Sequence, residues 1–130
     1  MALVLTRSPQ TSIQIGNNIR IINQGDHKVK LAVDAPAFIP IWRSEIYEQM
    51  LYKGLLTPAD LDIADPLTQL DQYIQYLQLT ASDGPWRYGI EHAKKGTCIT
   101  IWRADNVWLS HESYSTQDAA QYVLETLTRA

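Results

Sequence analysis

Arg43 stands at a change of pattern. "FIPIW" (38–42) is an apolar extended run with a proline inside it, and from Ser44 onwards Ile46, Tyr47 and Met50 follow helical spacing. A guanidinium there presents donors in a planar fork, the geometry that grips a carboxylate, a phosphate or the edge of a guanine. Its simplest use is a surface ion pair with Glu45 or Glu48. The neighbouring Trp42 offers a face on which a base could stack, or a contact for the second half of the chain. Other reactive side chains are less well placed. Ser110, His111 and Glu112 have the types of a hydrolytic triad, but consecutive residues on a strand point to opposite faces. His92 and His111 lie on different expected strands beside Glu91 and Glu112, with no close-spaced ligand pair that would suit a metal. Cys98 is the only cysteine, which excludes an intrachain disulfide and a thiolate-rich metal site, and its plain reading is a small buried hydrophobe next to Ile99. Enzyme activity and a cofactor are therefore not expected.

The elements that must position Arg43 are short. "LVLTR" (3–7) and "SIQIG" (12–16) read as strands separated by the turn composition "SPQT". "NIRIINQ" (18–24) and "VKLAVDA" (29–35) alternate on either side of a turn at "GDHK". Pro40 cannot donate to a ladder, which puts the fifth strand at an edge. Ser44 is a suitable N-cap, with Glu45 in the first turn where a carboxylate suits the helix dipole. Lys28 and Lys30 are most simply solvated. Five strands in so few residues make a marginal core, for which association with a second copy is a usual remedy.

Past Gly54 the pattern changes. Thr57 before Pro58, and Asp65 before Pro66, mark helix starts. Within "DPLTQLDQYIQYLQL" (65–79), Leu67, Leu70, Ile74 and Leu77 share one helical face. "WRYGIEH" (86–92), "TCITIWR" (97–103) and "VWLSHE" (107–112) are strand-like, and Trp86, Trp102 and Trp108 fall one on each, with core packing expected for at least two. Ser115 or Thr116 then caps a last helix over 117–129, with Ala120, Val123, Leu124 and Leu127 on one face. The expected division is an all-β part over 1–52 and an α+β module (helix, three-stranded antiparallel meander, helix) over 56–130.

With 45% apolar and 19% charged residues over 130 positions, the chain has ordinary globular composition. No apolar run is long enough to span a membrane and no leader pattern is present, so the expected location is the cytoplasm, with no membrane partner. The net charge is −3, but residues 1–50 carry +1 and the remainder −4. Any nucleic-acid binding must therefore rest on a few placed residues rather than a broad basic surface.

"LVLTR" (3–7), "IQIG" (13–16), "VKLAVDAP" (29–36) and "IPIWRSEIY" (39–47) occur in an order and spacing that resemble the carbon storage regulator (CsrA/RsmA) family of bacterial RNA-binding proteins. The resemblance covers residues 1 to about 50. It implies a five-stranded subunit in an interwoven homodimer, in which the first strand of one chain lies beside the last strand of the other. It also implies binding of mRNA or small regulatory RNA carrying GGA motifs, with control of translation initiation or mRNA stability. The site residues it implies are Leu5, Thr6 and Arg7 on the first strand and Ile41, Trp42 and Arg43 on the last.

Several positions depart from the family pattern. Ser8 replaces a basic residue, Gln10-Thr11 a Gly-Glu, Ala37 a lysine and Trp42 a histidine. Fewer cations release fewer counterions, so the expected RNA affinity is weaker and less salt-dependent than in a typical member. The alternative is a protein-interaction adaptor on the same scaffold, with weakened or lost RNA binding and autoinhibition by the C-terminal module, which could also hold a protein partner.

Overall fold

The computed structural model describes residues 2–128, and its contacts divide them into two compact units, residues 2–64 with Thr128 and residues 65–127. The first unit runs β1 (Ala2–Arg7), β2 (Ser12–Ile15), β3 (Ile19–Ile22), β4 (Val29–Asp34), β5 (Ile41–Arg43), α1 (Ser44–Tyr52) and α2 (Pro58–Asp62). The alternating runs seen in the sequence become two small antiparallel sheets. β1 pairs with β4, setting Leu5 opposite Leu31 and Thr6 opposite Lys30. β2 lies between β3 and β5, so Ile13 faces Ile21 on one side and Arg43 on the other. Leu3, Leu5 and Ile13 form a buried cluster against which Ile15, Leu31 and Ile41 pack. β5 bonds to β2 alone, the edge position anticipated from Pro40.

Two local features join β5 to α1. Gly16 has φ +57° and its amide donates to the Pro40 carbonyl at 2.8 Å, which ties the β2–β3 turn to the residue before β5. α1 starts one residue earlier than the capping pattern suggests: Arg43 is the N-cap and Ser44 the first helical residue. The Ser44 hydroxyl is the acceptor of a 2.6 Å bond from Ser12 Oγ instead of capping the helix. The helix ends at Gly54, φ +72°, whose amide reaches the Leu51 carbonyl while that of Leu55 reaches Met50. Thr57 and Asp60 form the reciprocal capping box of α2, with Pro58 in the first turn.

The second unit contains α3 (Pro66–Thr80), β6 (Trp86–Ala93), β7 (Gly96–Arg103), β8 (Asn106–Ser113) and α4 (Thr116–Thr128). Asp65 caps α3 by accepting from the Thr68 amide at 2.7 Å, and Ser115, rather than Thr116, accepts from the Asp118 amide at 3.1 Å to cap α4. β6, β7 and β8 form a meander in chain order. Leu70 and Ile74 of α3, Trp86, Ile99 and Ile101 of the sheet, and Ala119, Ala120 and Val123 of α4 make its buried core, with Leu67, Leu77 and Leu127 packed around them.

Two expectations about this unit are corrected. Of the three sheet tryptophans only Trp86 is buried: Trp108 is 38% exposed and meets Trp86 edge-on, while Trp102 lies across Gly89 with the Arg87 guanidinium 4.2 Å from its ring centre. Strand alternation explains this, because Trp102 follows the buried Ile101 and must point the other way. The same rule places Cys98 on the face opposite Ile99, where its sulfur lies 3.3 Å from Ser110 Oγ rather than in the core. Among the described residues no helix is long and apolar enough to cross a membrane.

Candidate nucleic-acid interface

The residues of β5 divide by alternation. Ile41 and Arg43 are half-buried, and Trp42 between them is 3% exposed and in register with Gln14 of β2. The Trp42 ring is thus packed and not presented to solvent. Gln14 beside it is buried as well, donating to the Gly16 carbonyl at 3.0 Å and accepting from Arg20 Nε at 3.3 Å. Ile41 packs onto the Leu3, Leu5 and Ile13 cluster, which fixes the height of the strand.

Arg43 occupies the bend from strand to helix, at φ −59° and ψ 134°. Its Nη2 donates to the carbonyl of Thr128 at 2.6 Å. Neither acidic neighbour suggested by the sequence belongs to it: Glu45 pairs with Arg7, and Glu48 lies 3.7 Å from Arg20.

On β1, Leu5 is buried and Thr6 half-buried. Arg7 is only 5% exposed: its Nη2 donates to both Glu45 oxygens at 2.8 Å, and its Nε to Thr11 Oγ1 at 3.2 Å. Its own carbonyl accepts from Asn23 Nδ2 at 3.1 Å. A guanidinium with so little water around it must keep its carboxylate partner, because removing one member leaves a buried, uncompensated charge. The structure therefore brings Arg7 and Arg43 to the same first turn of α1, one through Glu45 and the other as the N-cap. β1 and β5 are not hydrogen-bonded to each other within the chain.

The sequence suggests Glu45 as a partner of Arg43 or of the helix dipole, not of Arg7, and gives Ser12 and Thr11 no role at the site. The motif "RSEIY" contains Glu45, but its partner lies 38 positions away on another sheet, and no periodicity carries such a pairing. Lys28 and Lys30 are exposed, as anticipated, and Lys30 stands opposite Thr6. Among the described residues no group of His, Cys, Asp or Glu is arranged to hold a metal ion.

The model of the CsrA family, described as a global regulator protein family, matches residues 2–51, the strands and the helix just described. A translational regulator CsrA of Brachyspira hyodysenteriae is 36% identical over 76 residues, covering 56% of this chain and 90% of that protein. The chain belongs to the CsrA family. A second CsrA, from Desulforapulum autotrophicum, is 33% identical over 57 residues, covering 42% of this chain and 70% of its own length. A third, from Alkaliphilus oremlandii, is 46% identical over 50 residues, with 37% and 68% covered. CsrA is a family of regulators and not of enzymes, and its β fold is what the first five strands fit. The family model stops at residue 51, so the α+β module stands outside it. No solved structure matches the chain.

Proposed function

We propose that the protein is an RNA-binding translational regulator that recognises GGA-containing elements, carried by residues 1–52, with residues 56–130 as an appended module. The relatives are translational regulators by name, and the observation that carries the reading is the placement of Arg43. It sits half-buried on an edge strand, at the one bend where a strand side chain and a helix start meet. A guanidinium held there can fork onto a guanine edge or a phosphate, and bases splayed from an RNA loop are the usual target of such a site. Binding would exchange its bond to the Thr128 carbonyl for charge-assisted bonds to RNA. Thr6 and Ile41 supply the polar and apolar rims, while Leu5 and Trp42 support them from beneath.

The working form is a homodimer in which β1 and β5 of different chains adjoin. The exposure of Ile19 (55%), Ile21 (39%) and Ile22 (51%) on β3 supports this, as do the open edges of both small sheets. An apolar strand left in water in this way marks an association surface. Arg43→Ala is expected to weaken binding of a GGA hairpin by about 1–3 kcal/mol with the far-ultraviolet circular dichroism unchanged. Equal affinity of the variant and the native chain in a gel-shift titration would refute the site.

A further inference from the structure

Arg7 and Arg43 look alike in the sequence but have different surroundings. Arg7 is buried and directs its donors at Glu45 and Thr11, so little of its guanidinium can reach a ligand. Glu45 has a 54% exposed side chain and is the second residue of α1, two positions after Arg43. The Arg43 side chain makes no capping hydrogen bond to the helix and donates instead to the Thr128 carbonyl, so the usual device for fixing a helix start is missing. Two bonds from outside the helix take its place: Arg7 of β1 holds Glu45, and Ser12 of β2 holds Ser44 at 2.6 Å. Between them they anchor the backbone on which Arg43 is carried, while the pairing of Arg43 with Ile13 fixes its other side.

From this geometry we propose that Arg7 is a positioning residue for the RNA site and not an RNA contact: it acts through Glu45 to fix the first turn of α1 and with it the aim of the Arg43 guanidinium. The proposal rests on the RNA-binding reading above and deepens it. It makes an acidic residue necessary for binding a polyanion. Were Arg7 itself to grip RNA, Glu45 would compete with the ligand, and removing its charge would tighten binding. Under the positioning role, removing either partner lowers affinity, and removing both costs no more than removing one.

The test uses the full chain and two labelled RNA hairpins, one with a GGA loop and one with GCA, titrated at several salt concentrations. Variants are Arg7→Gln, Glu45→Gln, the double variant and Arg43→Ala, with thermal melts recorded for each. Each single variant is expected to bind the GGA hairpin about tenfold more weakly, the order of one lost bond to a charged group, with the double variant no weaker. The preference for GGA over GCA should fall towards that of Arg43→Ala, while the salt slope keeps its native value. A purely structural role would reduce binding of both hairpins alike and leave their ratio unchanged, which would overturn the proposal. Tighter binding by Glu45→Gln would overturn it too, as would a salt slope about 0.7 shallower in Arg7→Gln alone, the mark of one lost phosphate contact on a single strand. If Arg7→Gln does not fold, Glu45→Gln carries the same test. A native chain that binds neither hairpin at any salt would refute the RNA reading itself, and this proposal with it; discrimination by the native chain with unaltered ratios in the variants would refute the proposal alone.

Discussion

Residues 65–127 gather eight buried side chains from a three-stranded sheet and two helices into one cluster, whereas the first unit buries Leu3, Leu5 and Ile13 together with Trp42, Met50, Leu56, Leu61 and Ala64 and still leaves three isoleucines of β3 in water. The first unit has five strands and the second three. They differ in what covers them: the long meander has an amphipathic helix before it and another after it, while the short strands are split into a ribbon of two and a sheet of three. A two-stranded ribbon is marginal alone, and sheets gain stability when three or more strands share a covered face. Under the proposed homodimer a second copy would cover the β3 isoleucines of the CsrA part, whereas the sheet of the module is covered by its own helices. The family match covers the first of these parts and stops before the module.

The sharpest break of this comparison is a cavity in the module. Ile99 is fully buried within the cluster formed with Leu70, Ile74 and Val123, so Ile99→Ala is expected to cost about 2–5 kcal/mol, measured by denaturant unfolding. The loss should not depend on protein concentration. A concentration-dependent midpoint for this variant would mean that the module is held by a partner.

An opposite result is expected on β3. Ile19→Lys removes a side chain that packs little within the chain and places a charge where a second copy would cover it. Burying an isoleucine contributes roughly 1.5–3 kcal/mol, so the dimer dissociation constant should rise at least tenfold in sedimentation equilibrium, with little change in monomer secondary structure. An unchanged dissociation constant would remove β3 from the interface and leave its exposure unexplained.

How far these features could be read from the sequence follows from how local they are. Strand alternation located all eight strands to within a few residues, and proline after Thr57 and Asp65 marked two helix starts, because each signal lies within a few residues of its effect. Ser44 has the residue type of a cap, but the deciding atom, Ser12 Oγ, lies 32 positions away. Residue type suggests a buried Cys98 and at least two core tryptophans, but parity along β7 sends Cys98 and Trp102 to the other face. At the candidate site Arg43 was legible from its junction between two patterns, but the burial of Trp42 and the pairing of Arg7 with Glu45 are tertiary facts. They emerge only once β1, β2 and β5 are brought together.

The smallest effect separates the units by pH. Tyr88 of β6 has its hydroxyl pushed up to about 12 from the ordinary 10.0, first by burial, then by the hydrogen bond it donates to Asp71 at 2.9 Å and by the negative charge of that carboxylate. The folded module therefore holds this proton more tightly than the unfolded chain does. Below pH 10 both states are protonated and the contribution is intact; between about 10 and 12 the unfolded state ionises first, so stability falls as pH rises. Tyr88→Phe removes the ionisable group, and the difference between native and variant denaturation midpoints should narrow across that window. If the two proteins lose stability in parallel from pH 9 to 12, the Tyr88–Asp71 bond does not persist in solution, and the α3–β6 packing would be looser than the contrast between the units requires.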